Sequence, residues 1–570
     1  MKRTARTAEK HKPHKQPAAP EAAPRDPFAA WFAIILAVAL VVRVLNAACI
    51  LTPDNPQFDP SALARSVDMH DNHVQAVEIL QNHGFPTGFF QHSPLYTYVI
   101  AAVYLVAPGK FFLVYWIQLL AGAFMCAMLY GAGRGIVGEL PACIAGLIAA
   151  VYAPLLFNDL IFQSDSLAPA MVVGLLWLAV IYQNTQRPLA LACAMGVVLG
   201  LCAGERTNLA LLGPALAVWI LWIPRQFSVR TRLVSIVIIG VISIALIAPF
   251  CYHNTRVLHK FTLTQGYVET TLGQSMGTES TGYFIYPQGS PNNPRWPVFS
   301  LGFLKLHLQK VRFLFSWFEF PDLYNYYIIG RFSPLIASNP VTFRIVGPLA
   351  ILGLLLGLRR FKSLSLVYIF SFVVGFGVLT FYVGSRFRAP LMPMLFLFAG
   401  QAAVATHDAF KRKDTKKSAA LIGAVVLLAV FVNSLDPARF HSMWYCDSMT
   451  GNAFRGRAIQ AAQSGKLQEA RTIAERVLWV KAAPYQLQGY ALLAEINQAL
   501  GEQTEAARCG RIAQQIQDLY KQQPQVDHHG NTYFPPSDRF RAYDPMTVIV
   551  APADLIGYTA SIYPPRKSGQ

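Results

Sequence analysis

Residues 28–50 read FAAWFAIILAVALVVRVLNAACI, and this run decides the class of fold. It is long enough for an α-helix to cross the hydrocarbon core of a bilayer, which takes about 20 apolar residues. A polar leader with more Lys and Arg than Asp and Glu, residues 1–27, precedes it. No small-residue cleavage site clearly follows it, so the run predicts a retained transmembrane helix and not a signal peptide. The basic leader predicts a cytoplasmic N-terminus.

The whole chain has the composition of a polytopic membrane protein. Of its 570 residues, 54% are hydrophobic and 14% are charged, whereas soluble proteins average about 25% charged residues. This excludes an ordinary soluble enzyme and a disordered chain. The formal net charge is +18. In a membrane protein such an excess usually faces anionic lipid from cytoplasmic loops, so we expect membrane lipids as partners and no nucleic acid.

Further apolar runs predict ten more spans and one helix that does not cross. The helix over 94–107 is short, and letting it cross would put the most basic loops outside, against the positive-inside rule. We therefore predict about 11 spanning helices, with the C-terminal tail outside. The ten further runs are 112–133, 140–157, 165–183, 189–204, 208–223, 232–250, 338–358, 363–383, 389–407 and 418–436.

This arrangement predicts an all-α polytopic membrane protein with a small helical domain at its C-terminus. Chemistry is expected on the outer face, because the inner loops are short and basic. The predicted parts are a cytoplasmic tail, 1–27; a transmembrane domain, 28–436, with outer loops 51–111 and 251–335; a periplasmic helical domain, 437–522; and an irregular extension, 523–570.

The helical domain contains a short internal repeat. Gly465-Lys466-Leu467-Gln468-Glu469-Ala470 and Gly501-Glu502-Gln503-Thr504-Glu505-Ala506 share a pattern 36 positions apart. A turn glycine followed by a packed alanine is typical of tetratricopeptide units, whose period is about 34 residues. An amphipathic helical hairpin that packs on the membrane domain explains the pattern equally well.

The first outer loop concentrates acids and imidazoles. Asp68, His70, Asp71 and His73 lie within six residues, before a surface helix predicted from about Asn72 to Asn82. A carboxylate at this place has the chemistry to take a proton from an acceptor hydroxyl as general base. Asp68, Asp71 and His70 also have the chemistry to bind a divalent metal, although we expect none. A solvated acidic loop is the alternative without chemistry.

Two arginines lie where the positive-inside rule disfavours them. Arg386 and Arg388 are predicted at the outer mouth of a span, and bidentate pairing of guanidinium with phosphate supplies a reason for keeping them there. Snorkelling to lipid head groups is the other explanation. Asp159 is predicted beside a span, where a carboxylate is costly unless it is used or paired. No Walker or Rossmann glycine pattern is present in the sequence, so a nucleotide-bound donor is not expected.

Several weak motifs follow one another in a fairly specific order. They are Asp68 eight positions before Ala76, Pro94-Leu95-Tyr96, Asp159, Glu205-Arg206-Thr207-Asn208, His253-Asn254, Glu319 in Phe318-Glu319-Phe320-Pro321, and Arg386-Phe387-Arg388-Ala389-Pro390. Over about residues 28–440 the sequence resembles the GT-C membrane glycosyltransferases, in the branch that contains protein O-mannosyltransferases and the lipid A aminoarabinose transferase. It is most similar to bacterial family-39-like members with a tetratricopeptide tail.

The resemblance implies a role for each matched residue. Asp68 or its neighbour Asp71 would be the catalytic base, and Asp159 a second catalytic acid residue. Arg386, Arg388 and Arg206 would bind the donor phosphate. His92, Tyr96 and Glu319 would line the acceptor pocket. The family's usual Tyr is Asn72 here, which leaves the choice between Asp68 and Asp71 open. Its usual Arg is His253, and both departures are compatible with an inactive member.

The predicted function is transfer of a sugar, with inversion, from a polyprenyl-phosphate donor to a lipid, glycan or protein acceptor. It is expected at the outer face of a bacterial inner membrane, without a cofactor and without a metal. A lipid or glycan transporter or flippase shares the spans and the charged outer residues. It also predicts matching broken helices in the two halves of the chain, and the sequence has no such symmetry. A catalytically inactive scaffold whose tail carries the function is the third possibility.

Overall fold

The computed structural model describes residues 26–52, 55, 67–222, 226–278, 280–283, 294–321, 325–435, 444–480, 483–522, 525–526, 532–534 and 549–551. Nearly all of the predicted leader 1–27 and most of the predicted extension 523–570 lie outside these residues. The first part of the chain forms α1 (Phe28–Ile50), α2 (Val67–Gln81), α3 (Pro94–Val106), α4 (Phe112–Val137), α5 (Glu139–Val151), α6 (Ala153–Asn158), α7 (Leu167–Tyr182), α8 (Pro188–Glu205), α9 (Leu212–Trp222) and α10 (Val229–Leu258).

The second part of the chain is also helical. Its helices are α11 (Val268–Met276), α12 (Leu301–Leu314), α13 (Tyr326–Ile329), α14 (Pro334–Ala337), α15 (Phe343–Gly357), α16 (Phe361–Thr380), α17 (Ser385–Arg388), α18 (Met392–Lys411), α19 (Thr415–Asn433), α20 (Trp444–Gln463), α21 (Leu467–Val477), α22 (Ala483–Ala499) and α23 (Gln503–Gln522). Single 3₁₀ turns cover Ser164–Ser166, Thr207–Leu211, Gly330–Phe332, Leu358–Arg360 and Ala389–Leu391.

Among the described residues, eight helical stretches are long and apolar enough to cross a membrane. The stretch over Phe343–Thr380 divides at the Leu358–Arg360 turn into α15 and α16. Two of the shorter apolar helices, Glu139–Val151 and Thr207–Trp222, fall on the remaining predicted spans. Each of the 11 predicted spans thus overlaps an apolar helix, and the all-α, multi-pass architecture is confirmed.

Two of the differences between the predicted and the observed helix bounds lie near acids that the sequence singles out. The span predicted over 140–157 stops at Val151, and α6 begins after an extended Tyr152. Pro154 accounts for the break, because proline lacks the backbone N–H that a continuing helix needs. The surface helix predicted from about Asn72 begins earlier, at Val67, which places Asp68 in its first turn and not in a loop.

Glycines bring the spanning helices close together. In α8, Gly196 and Gly200 face Ile239, Ser243 and Leu246 of α10. The Ser243 hydroxyl donates hydrogen bonds to the carbonyls of Gly196, at 2.9 Å, and Ile239, at 2.6 Å. Small residues and hydroxyl bonds of this kind hold membrane helices together where the hydrophobic effect gives little force between them.

The tail packs on the membrane domain through aromatic side chains. Helices α20–α23 form two hairpins, and Gly465 and Gly501 make the turns at φ +77° and +80°. Phe332 of the membrane domain lies 5.2 Å, between ring centroids, from Trp479 of the tail. The tetratricopeptide assignment and the domain limits remain predictions. Farther along, β1 (Gln525–Val526), β2 (Thr532–Phe534) and β3 (Ile549–Ala551) form an antiparallel sheet in that order, which the sequence did not predict.

The closest helix contact gives a stability prediction. A Cβ atom on Gly353 of α15 would overlap the backbone carbonyl of Phe398 in α18. We expect Gly353→Ala to separate the two helices and to lower the free energy of unfolding by about 1–3 kcal/mol, as overpacking does. Thermal unfolding of the purified protein measures it. Gly423→Ala in α19, where a Cβ would meet nothing within 4 Å, is the control, and equal shifts for both variants would contradict the prediction.

Candidate active site

Asp68 is the centre of a polar cluster at one end of the helix bundle. It lies in the first turn of α2, and its Oδ2 accepts hydrogen bonds from Gln163 Nε2, at 3.0 Å, and Arg386, at 3.2 Å. Asp68 and Arg386 are only 17% and 16% exposed in their side chains. The predicted base and one predicted phosphate ligand are therefore in direct contact, although 318 positions separate them in the chain.

His92 lies between two carboxylates. Its Nε2 is 3.6 Å from Asp68 Oδ1 and 3.5 Å from Asp71 Oδ2. The ring of Tyr267 lies 6.0 Å from the imidazole ring, between centroids. The structure thus brings together four of the residues singled out in the sequence: Asp68, Asp71, His92 and Arg386.

The charges around Asp68 keep it ionised. Burial disfavours the carboxylate, but the nearby charges of His92 and Arg386 and the hydrogen bond from Gln163 outweigh burial, so the pKa of Asp68 is lowered. His92 has the opposite balance: burial disfavours the imidazolium, but Asp68 and Asp71 raise its pKa. The cluster therefore holds the Asp68 carboxylate, which can accept a proton, beside the Arg386 guanidinium, which can attract an anion.

Arg206 approaches the same region from another side. Its guanidinium pairs with Asp165 and lies 5.6 Å from the centre of the Phe387 ring. The Arg386 guanidinium lies 4.9 Å from the same ring. One aromatic ring therefore neighbours both arginines, and each arginine has a carboxylate partner.

Arg388 is directed elsewhere. It is buried, pairs with Glu319, and donates hydrogen bonds to the carbonyls of Leu314, at 3.1 Å, and Ser316, at 2.8 Å. Its guanidinium also lies 4.2 Å from the centre of the Phe343 ring. These contacts join α17 to the segment after α12, and the predicted roles of Arg388 as a phosphate ligand and Glu319 as a pocket residue stay predictions.

Asp159 also lies in a separate buried pair. Its Oδ2 is 2.7 Å from Arg43 Nε of α1, and both side chains are almost fully buried. A Cβ atom on Gly122 would come within 2.7 Å of this pair, so the glycine makes room for it. Asp159 therefore compensates the Arg43 charge inside the bundle, and its catalytic role stays a prediction.

Tyr96 supports the chain that carries Gln163. Its hydroxyl donates to Gln118 Oε1 at 2.7 Å, and Gln118 Nε2 donates to the carbonyls of Asp159, at 3.1 Å, and Ile161, at 2.6 Å. Tyr96 is fully buried, so it is part of the scaffold behind the site.

Three residues of the cluster were not predicted from the sequence: Gln163, Asp165 and Tyr267. The first two lie in or next to the turn 158–164, where a run of polar residues between apolar spans is a usable signal. Tyr267 lies in the predicted loop 251–335, where tyrosines are too frequent to point to one. Across the described ranges, no group of three or more His, Cys, Asp and Glu side chains is arranged to hold a metal ion.

Part of the chain matches a known protein family. Residues 91–253 match the family described as dolichyl-phosphate-mannose-protein mannosyltransferase. Over these residues the predicted resemblance to the protein O-mannosyltransferase branch is confirmed. A search of curated proteins gives no match.

Three solved structures show distant similarity. The archaeal oligosaccharyltransferase AglB from Archaeoglobus fulgidus, in complex with an inhibitory peptide and a dolichol-phosphate, is 12% identical, with a TM-score of 0.43 over 77% of this chain and 58% of its own. ArnT from Cupriavidus metallidurans, bound to undecaprenyl phosphate, is 16% identical, with a TM-score of 0.43 over 87% and 82%. The S. cerevisiae protein O-mannosyltransferase Pmt1-Pmt2 complex, bound to the sugar donor, is 14% identical, with a TM-score of 0.33 over 44% and 36%. The chain spans less than two thirds of the length of AglB.

The Asp159–Arg43 pair gives a test that separates scaffold from chemistry. We expect Asp159→Asn to leave the Arg43 charge buried without a counter-charge and to cost roughly 3–5 kcal/mol of stability. The double variant Arg43→Met/Asp159→Leu should recover most of that loss. Thermal unfolding measures both, and Glu269→Gln, which changes an exposed acid, is the control. If Asp159→Asn leaves the stability unchanged but abolishes activity, Asp159 has a catalytic role instead.

Proposed function

We propose that this protein is a glycosyltransferase that moves a sugar from a polyprenyl-phosphate carrier to an acceptor hydroxyl. We place the reaction at the outer face of a bacterial inner membrane, with the N-terminus in the cytoplasm and the tail in the periplasm. The observation that carries the proposal is the direct contact of the ionised Asp68 carboxylate with the Arg386 guanidinium, at one end of a multi-pass bundle. The match of residues 91–253 to a mannosyltransferase family supports it.

In this mechanism Asp68 and Arg386 have different roles. Arg386 binds the phosphate of the donor, because a guanidinium pairs well with phosphate oxygens. Asp68 accepts the proton of the acceptor hydroxyl while the hydroxyl oxygen attacks the anomeric carbon of the donor sugar. The bond between that carbon and the phosphate oxygen breaks on the opposite face, so the configuration inverts. The products are the glycosylated acceptor, the polyprenyl phosphate and protonated Asp68, which returns its proton to water.

Asp68 is a better base than Asp71 in this geometry. Asp68 contacts Arg386, so it lies near the place where the leaving phosphate would bind. Asp71 contacts His92, and we assign it to orienting the imidazole and, with Asp68, to raising the pKa of His92. Arg206 is a second candidate for the phosphate, because it shares the Phe387 ring with Arg386. Arg388 takes a positioning role.

Without donor, Asp68 and Arg386 neutralise each other. A donor phosphate would compete with Asp68 for the guanidinium, and its arrival would weaken one of the contacts that, after the charge of His92, lower the pKa of Asp68. Donor binding would therefore make Asp68 a stronger base at the moment when the base is needed. Because Asp68 is the weaker base while it contacts Arg386, this ion pair favours an order in which the donor binds before the proton is transferred.

The first test is loss of transfer. In cells that lack this protein, we expect one sugar to be missing from an envelope lipid, glycan or protein, and mass spectrometry of envelope fractions measures it. The wild-type chain should restore that sugar, and Asp68→Asn should lower its transfer about 100-fold or more, as loss of a general base does. Glu269→Gln is the surface control. Full restoration by Asp68→Asn would remove Asp68 from the reaction, and an unaltered envelope in the deletion strain would favour a transporter or an inactive scaffold.

The second test is donor affinity. Asp68→Asn should bind undecaprenyl phosphate in nanodiscs roughly three- to tenfold more tightly than wild type, because the guanidinium loses its competing carboxylate, a change of about 1 kcal/mol. Asp71→Asn removes the same charge from α2 and should change the affinity less, because Asp71 faces His92. Arg386→Gln should weaken binding. Equal or weaker binding by Asp68→Asn would contradict competition for Arg386 without affecting the assignment of the base.

A further inference from the structure

We propose that α12 lies in the membrane surface beside the candidate site, with its exposed apolar stripe in contact with the acyl chains of the bilayer. The stripe consists of Leu301, Leu304, Leu308 and Val311. This inference rests on the multi-pass architecture and is independent of the proposed reaction.

The two faces of α12 are opposite in character. The stripe follows the spacing i, i+3, i+7 and i+10, which keeps its members on one side of a helix. All four are exposed, with Leu308 at 71%. The opposite side is buried in the protein and includes Leu306, Lys310 and Phe313. Four large apolar side chains exposed in a row on one helix indicate that this face contacts a membrane or another protein and not water.

The contacts of α12 set its depth. At its C-terminal end, Arg312 donates a hydrogen bond to the Ser434 hydroxyl at 2.9 Å, and its guanidinium lies 4.7 Å from the centre of the Phe431 ring. Trp317 follows and donates its backbone N–H to the Val432 carbonyl at 3.2 Å. These partners form the last turn of α19 and the residue after it, and α19 is one of the candidate spans. The C-terminal end of α12 therefore lies where a span leaves the membrane.

The stripe continues a surface that already faces lipid. Leu427, Val430 and Phe431 of α19 are exposed apolar residues on a candidate span, and Arg312 joins this surface to α12. The polar side of α12 next to the stripe carries Lys305 and Arg312. Basic residues at the border of an apolar face are typical of helices that lie in the membrane interface, where they meet head-group phosphates.

This position has a consequence for the site. The carbonyls of Leu314, at the end of α12, and of Ser316 accept hydrogen bonds from Arg388, and Arg388 lies two residues from Arg386. Lys310 donates to the carbonyls of Leu379, at 3.1 Å, and Phe381, at 2.7 Å, at the end of α16. A helix that rests in the bilayer surface therefore fixes the level of the arginine turn relative to the lipid.

Photocrosslinking tests the position of α12. The photoreactive residue p-benzoyl-phenylalanine is introduced singly at Leu304, Leu308, Gln309 or Leu427 of the full chain. Each protein is irradiated in nanodiscs of one phospholipid, and its intact mass is measured. We expect phospholipid adducts at Leu304 and Leu308 at a level similar to that at Leu427, and several-fold fewer at Gln309, which points away from the stripe.

Leu427 shows that lipid adducts can be detected, and Gln309 controls for mere exposure on the same helix. If Leu304 and Leu308 give no more lipid adduct than Gln309, α12 does not lie in the bilayer surface. If they crosslink instead to a second protein chain, the stripe is a protein interface and the proposal is overturned. Loss of envelope glycosylation in any of these variants bears on the proposed function only.

Discussion

The structure depends on one constraint: a charge near the hydrocarbon core must have a partner. Moving an ion into a medium of low dielectric constant costs several kcal/mol, and an opposite charge at contact distance compensates that cost only when it is held in place. Most of the acids and arginines singled out in the sequence satisfy this constraint in pairs. Their side-chain exposures are 0% and 3% for Arg43–Asp159, 3% and 4% for Arg388–Glu319, 14% and 1% for Arg206–Asp165, and 16% and 17% for Arg386–Asp68. Only the last pair leaves both of its members partly open to a ligand, and this distinguishes the candidate site from its supports.

The turn between α6 and α7 supplies residues to three of these contacts. Asp159 reaches Arg43 in the bundle, Gln163 reaches Asp68 in the site, and Asp165 reaches Arg206. The amide of Gln118 holds the backbone of this turn through two carbonyls. A short segment therefore joins the scaffold to the site, and a shift of its backbone would displace all three contacts together.

The sequence predicted the spans well because hydropathy over about 20 residues is a physical property of the segment itself. It could not predict the partners, because pairing is set by tertiary structure. Arg386 and Arg388 are alike in the sequence, and both were predicted to bind phosphate. Two positions along a helical turn place side chains roughly 200° apart, so Arg386 meets Asp68 while Arg388 meets Glu319. The sequence predicts which residues lie near the end of a span, but the direction of each side chain depends on where its turn packs.

The tail is connected to the site through the same buried pair. The backbone N–H of Glu319 donates to the Tyr327 hydroxyl at 3.0 Å. Tyr327 belongs to the segment α13–α14, whose Phe332 packs against Trp479 of the tail. The tail therefore bears on the residues that hold Glu319, and through Glu319 on Arg388 and the arginine turn. A tail that only captured an acceptor would need no such contact, since a flexible tether would suffice. The packed aromatic contact instead links the tail, through Tyr327 and Glu319, to the turn that carries Arg386.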